Sequence, residues 1–221
     1  MEKGQPQTSD FEVDSHDLHL QSKTKTLRMV DNARIATTAL ALLMGITVLG
    51  VSGNTLAVWN DTYVSPSDFY LPLWPEEFNI RPTVALVAGS AFVIVANIVG
   101  LCFSKVQVLR NKTLVHTSVT FAAPFVGLVA ALIAIIFFYA VNASNEVDTF
   151  LSWTCRWRAV PMTQQPRWGT LCRQSEAGIY LAILLIPVEA AALGLAAWQM
   201  KVERHTSKYM QATRKGSPAL S

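Results

Sequence analysis

Glu189 is the only acidic residue set deep inside one of the chain's long apolar runs. It lies eleven residues into the stretch 178–200, about 17 Å along a helix rising 1.5 Å per residue, and so near the middle of a bilayer. A carboxylate there costs several kcal/mol unless it is paired or protonated. No Lys, Arg or His shares that depth, and His116 falls near the end of its own run. The expected partners are neutral: Thr47, Ser90 and Asn97 on other runs. Two chemistries fit such a residue. It can fix a helix bundle as an interhelical hydrogen-bonding group, or it can carry protons or ions. No second intramembrane charge, internal repeat or pair of broken helices accompanies it, which favours the structural role. Pro187, two residues earlier, is expected to kink the helix.

A second constellation is Trp153-Thr-Cys155-Arg156-Trp157-Arg158 followed by Arg167-Trp168-Gly-Thr-Leu-Cys172-Arg173. The two cysteines are expected to form a disulfide, worth about 3 kcal/mol for a loop of this size in the chain-entropy model. Arginine stacks favourably on tryptophan, and both are enriched where proteins bind one another. Trp153, Arg156, Trp157, Arg158, Arg167 and Trp168 are therefore the candidate contact surface; the competing reading is a loop that uses those stacks for its own cohesion. Cys102 is a candidate palmitoylation site or a packed thiol. Asn60 and Asn142 open sequons on the same side as the disulfide but lie against the membrane, and Asn111 opens a third on the opposite side.

Nothing else in the chain has the form of a catalytic or cofactor site. GxGxxG, P-loop, HExxH and CxxC patterns are absent, so a non-enzymatic protein without cofactor or metal is expected. Asp14-Ser-His16-Asp17-Leu-His19 is a weak candidate for metal. A net charge of +3, dispersed along the chain, gives no nucleic-acid footprint.

The elements that must position these residues follow from composition. Hydrophobic residues make up 51% of the chain and charged residues only 15%, against roughly 25% charged in soluble domains. The apolar residues collect in four runs, 35–58, 82–103, 114–141 and 178–200. About 20 apolar residues span a bilayer core, and without period-two alternation the spans must be helices. The expected fold is an all-α, four-helix transmembrane bundle over 34–200. Outer loops cover 59–81 and 142–177, a cytosolic loop covers 104–113, a disordered tail 1–33, and a basic tail 201–221. The first run is the weakest, interrupted by Ser52, Gly53, Asn54 and Thr55. The tail before it has no apolar stretch, so no cleavable signal is expected.

Thirteen of the 18 basic residues fall in the two tails, the adjoining Arg34 and the 104–113 loop, which is expected to place both termini in the cytosol. The cysteine pair then lies in an oxidising compartment. Small residues recur in Ala41-xxx-Gly45, Ala85-xxx-Gly89 and Ala96-xxx-Gly100, and as Ala123, Gly127 and Ala134 on the third span, as close helix contact requires. Ala182, Ala192 and Ala196 share a helical face with Glu189, and that face is expected to pack inward.

Four spans, cytosolic tails and a disulfide-bearing loop between the third and fourth spans resemble tetraspan membrane organisers, with MARVEL-type proteins nearest in topology. The Trp-Thr-Cys-Arg-Trp and Gly-Thr-Leu-Cys pieces look like those of uncharacterised four-span proteins of filamentous fungi. The tetraspanin Cys-Cys-Gly motif is missing, and the first outer loop lacks the cysteines of claudin-like families. The resemblance implies a protein of the plasma membrane or an endomembrane. It would organise other membrane proteins, or copies of itself, or sense at the cell surface. The alternative expectation is a small transporter or channel subunit built on Glu189.

Overall fold

A computed structural model describes the backbone of residues 9–64, 73–105, 113–144 and 147–216, and the side chains of 25–64, 73–104, 118–144 and 147–202. The side chains of His16, His19, His116 and His205 lie outside the described residues, as does Asn111. Among the described residues five helices carry the fold: α1 (Ser9–Thr62), α2 (Arg81–Lys105), α3 (Thr113–Ala143), the short α4 (Phe150–Arg156) and α5 (Trp168–Gly216). Four of them contain stretches long and apolar enough to cross a membrane, namely Lys25–Thr62, Arg81–Ser104, Ser118–Ala143 and Trp168–Val202.

Two boundaries differ from the sequence reading. The helix of the first span begins at Ser9, inside the tail expected to be disordered. The last helix begins at Trp168 and continues to Gly216, so the second outer loop ends ten residues before its expected limit and the basic tail extends the helix. The reason is common to both. Apolar content marks where a helix enters lipid, but helices stop at breakers and caps, and no proline interrupts 9–62 or 168–186. α5 contains Pro187 and runs through it as one continuous helix.

Around the bundle the neighbours are α1, α2, α3 and α5 in a ring, with α2 and α5 facing each other across a diagonal. Glycines mark the closest approaches. A Cβ on Gly89 would lie 2.6 Å from Ala134 Cβ, and one on Gly100 would lie 3.2 Å from Ala123 Cβ, so α2 and α3 meet at two levels. A Cβ on Gly178 would lie 3.2 Å from Val51, placing α5 against the polar end of α1. There Ser52 and Thr55 are buried, and Asn54 Nδ2 donates to Gln174 Oε1 at 2.9 Å. The polar interruption of the first run is thus a helix–helix contact.

At one end of the bundle the loops close into a cap. Strands β1 (Phe78–Asn79) and β2 (Asp148–Thr149) pair in parallel and join the two outer segments. Thr149 then starts α4 through a capping box with Ser152. Trp74 lies at the centre, 3% exposed, with ring contacts to Phe78, Phe150 and Trp168 at 5.2, 5.6 and 5.0 Å. Its Nε1 donates to Thr62 Oγ1 at 2.9 Å, tying the cap to the end of α1. At the opposite end Arg34 is buried; its Nη2 donates to Asp31 Oδ1 at 2.8 Å and to Ser104 Oγ at 2.9 Å. The sequence reading counted Arg34 only as a cytosolic charge. Asp31, three residues away on the same helix, was the visible signal, whereas Ser104 is 70 residues distant.

Replacing Trp74 by Ala removes the ring that touches both outer segments, a change that costs about 3–5 kcal/mol at a filled core position. Trypsin should then cut the cap at exposed Arg158 and Arg167 faster than in the parent chain, with the membrane helices intact. An unchanged cutting rate would show that the aromatic cluster does not hold the cap closed.

Candidate functional site

The interior site is built from three helices. Glu189 on α5 is fully buried, flanked on its own face by Leu185, Ala182, Ala192 and Ala196, all buried. Asn97 on α2 stands opposite across the diagonal and donates from Nδ2 to Glu189 Oε1 at 2.7 Å. The same Nδ2 donates to Val93 O at 2.9 Å on its own helix, which fixes the amide's orientation. Gly127 on α3 forms the third wall. A Cβ there would sit 2.6 Å from Oε1 and 2.9 Å from Oε2, so the absence of a side chain is what leaves room for the carboxyl. Glu189 Oε2 is buried without a hydrogen-bond partner.

Asn97 is therefore brought to Glu189, and the other two expected partners are not. Thr47 is exposed on the outside of α1 and donates to Leu43 O at 2.9 Å. It lies three residues from Met44 and one from Val48, which turn inward, while Thr47 itself does not. Ser90 is buried but donates to Val87 O at 3.0 Å. Along α2 the site lies nearer the Ser104 end than the Arg81 end. Asn97 is seven residues from Ser104 and sixteen from Arg81, so about 10 Å from the tail-side end of α2 and about 24 Å from the other. Gly127 was read as one of a row of small residues; that it faces a carboxyl could not be read from spacing on α3 alone.

In the cap, Cys155 on α4 and Cys172 on α5 form a disulfide. Glu176 lies beside it, but sulfurs bonded to each other are not thiolates and offer no metal site. Arg156 pairs with Asp148, its Nη1 and Nη2 donating to Oδ2 and Oδ1 at 3.3 and 3.1 Å. The Arg156 guanidinium also lies 5.9 Å from the Trp153 ring centre. Both groups of the pair keep solvent contact, so the pair is worth a few tenths of a kcal/mol.

The six candidate contact residues divide. Arg156, Trp157, Arg158 and Arg167 are exposed, and Trp153 is half-buried. Trp168 is buried under the cap and belongs to its core, a correction with a plain cause: α5 starts at Trp168, and its first turn faces Trp74. Asn142 is half-buried with both ends of its amide engaged, donating to Phe138 O at 2.8 Å and accepting from Thr149 Oγ1 at 2.7 Å. Asn60 is exposed in the last turn of α1. Cys102 is a free, exposed thiol near the tail-side end of α2.

Comparison with models of protein families, with characterised proteins and with solved structures finds no match to this chain.

The geometry predicts a coupled pair. Gly127→Ala drives a methyl into the Glu189 carboxyl and should destabilise the bundle by about 1–3 kcal/mol. In a Glu189→Ala background the methyl meets free space, and the same change should cost much less. Thermal unfolding of the four proteins in detergent measures this coupling; equal costs in both backgrounds would mean that Gly127 does not accommodate Glu189.

Proposed function

We propose that this multi-pass membrane protein is a non-enzymatic tetraspan. It organises membrane partners or senses at the cell surface through the cap at its disulfide end. The observation that carries the reading is a fixed cap with an open tip. A disulfide, an aromatic core and a strand pairing hold the cap, yet Trp157 remains 42% exposed, with Arg156, Arg158 and Arg167 exposed around it. A pre-ordered aromatic side chain costs little entropy to dock, and Trp and Arg together make efficient contact residues. The partners this suits are other membrane proteins or further copies of the chain, within the lipid bilayer. Disulfides persist in oxidising compartments, which supports a cap facing outward from the plasma membrane or an endomembrane, with both termini cytosolic. MARVEL-type organisers are the class this topology resembles most.

A second reading, a small transporter or channel subunit, draws on the unpartnered Oε2 of Glu189. Against it stands the packing on the cap side of the site. The gap there, lined by Val93, Ala131, Ala182 and Leu185 among others, is about 10 Å³, at the lower limit for a single water.

Trp157→Ala should weaken association by about 2 kcal/mol, roughly thirtyfold, and a combined Trp157→Ala/Arg158→Ala/Arg167→Ala change should abolish it. The readout is recovery of cross-linked complexes from native membranes, with retention of the Cys155–Cys172 disulfide as the check on folding. Complexes recovered equally from parent and variant would overturn the contact-surface reading. For the transporter reading, the discriminating measurement is carbodiimide labelling of Glu189 in membranes between about pH 5 and 9, with Glu189→Gln as the blank. Labelling that responds to an imposed pH gradient would make transport the leading function; labelling indifferent to it would leave Glu189 a structural group.

A further inference from the structure

We propose that the outer face between α2 and α3 binds one phospholipid of the leaflet on the disulfide side, with an acyl chain in the groove and the phosphate on Arg81. The groove has a volume of about 810 Å³. Its floor is made of small residues, among them Ala85, Ala88 and Ala130, and its walls of exposed Phe92, Phe125 and Phe137. It exists because Gly89 lets α2 and α3 approach until no larger side chain fits between them, while the large residues on either side point outward into lipid.

Two features select the occupant. The first is length. From Arg81 to Phe92 the groove follows eleven residues of α2, about 17 Å, close to the roughly 15 Å of half a bilayer core. One leaflet's depth matches the reach of a single acyl chain whose headgroup sits at the Arg81 end. The second is charge. Among the described residues Arg81 is the only charged one lining the groove, and it stands at its mouth, on the first residue of α2. It is exposed, and among the described residues no acidic side chain pairs with it. A guanidinium placed where the apolar groove meets the headgroup layer is suited to bidentate contact with a phosphate.

The test uses the full chain in nanodiscs of phosphatidylcholine and phosphatidylglycerol, transferred to detergent and examined by native mass spectrometry. One phospholipid per chain should be retained. Arg81→Gln should lower the retained fraction about fivefold, and Arg81→Lys should restore most of it. Ala88→Trp, which fills the exposed floor without entering the bundle, should abolish retention while the melting temperature stays near the parent's. Retention indifferent to both Arg81→Gln and Ala88→Trp would overturn the proposal. So would a dimer that Ala88→Trp converts to monomer with lipid retention unchanged, because a second copy would then occupy the groove.

Discussion

One hydrogen bond crosses the diagonal of the bundle, from Asn97 on α2 to Glu189 on α5, and much of the interior is arranged around it. The two helices are not neighbours in the ring, so only long side chains reach across. A glutamate at this point demands an amide opposite, small residues beside it and a glycine on the third helix. Ala182, Ala192 and Ala196 on α5 and Gly127 on α3 meet those demands. In lipid the alternative to such a bond is a polar group with nothing to pair with, so the contact specifies which helix faces which, beyond whatever stability it adds.

The cap and the membrane bundle are not separable parts. α5 carries Trp168 and Cys172 in the cap and Glu189 in the interior. α1 carries Val58 and Thr62 at the cap and Arg34 at the far end. Two continuous helices thus join the disulfide end to the buried polar contacts. A force on the cap is borne by helices packed against each other at Gly178, not by a flexible linker. A cap fixed in this way can present Trp157 in one orientation, which is what a docking residue requires.

Much of this was legible in the sequence because lipid imposes simple rules. The four spans follow from apolar length, and Cys155 with Cys172 from being the two cysteines on one side. Asn97 could be named as a partner of Glu189 because few polar residues lie in the spans at all. What could not be read has a common origin in three-dimensional packing. Thr47 and Asn97 are both polar residues within spans; one faces lipid and bonds its own backbone, the other faces inward. Helical phase relative to the neighbours decides this, and a run apolar on every side carries little phase signal. Trp168 was misjudged for a related reason: a tryptophan beside arginines reads as surface until the start of α5 turns it beneath Trp74. The helix limits at Ser9 and Gly216 lie where hydropathy is silent.

The distribution of side-chain size explains how such a bundle holds together. Many of the large apolar residues of the spans, among them Phe92, Ile133, Ile136, Tyr180 and Trp198, are exposed on the outside, whereas the interior between the spans is rich in small and polar residues such as Ala, Gly, Ser and Thr. A water-soluble protein is arranged the other way. Lipid tails are as apolar as leucine, so burying a large side chain between helices gains nothing from expelling water. Association comes instead from backbones that approach closely and from the few hydrogen bonds made between helices. In such a protein the grooves between bulky outward residues meet lipid as directly as a soluble protein's clefts meet water. The outer face of α2 and α3 is therefore, like the exposed tip of the cap, a surface on which the proposed recognition can be tested.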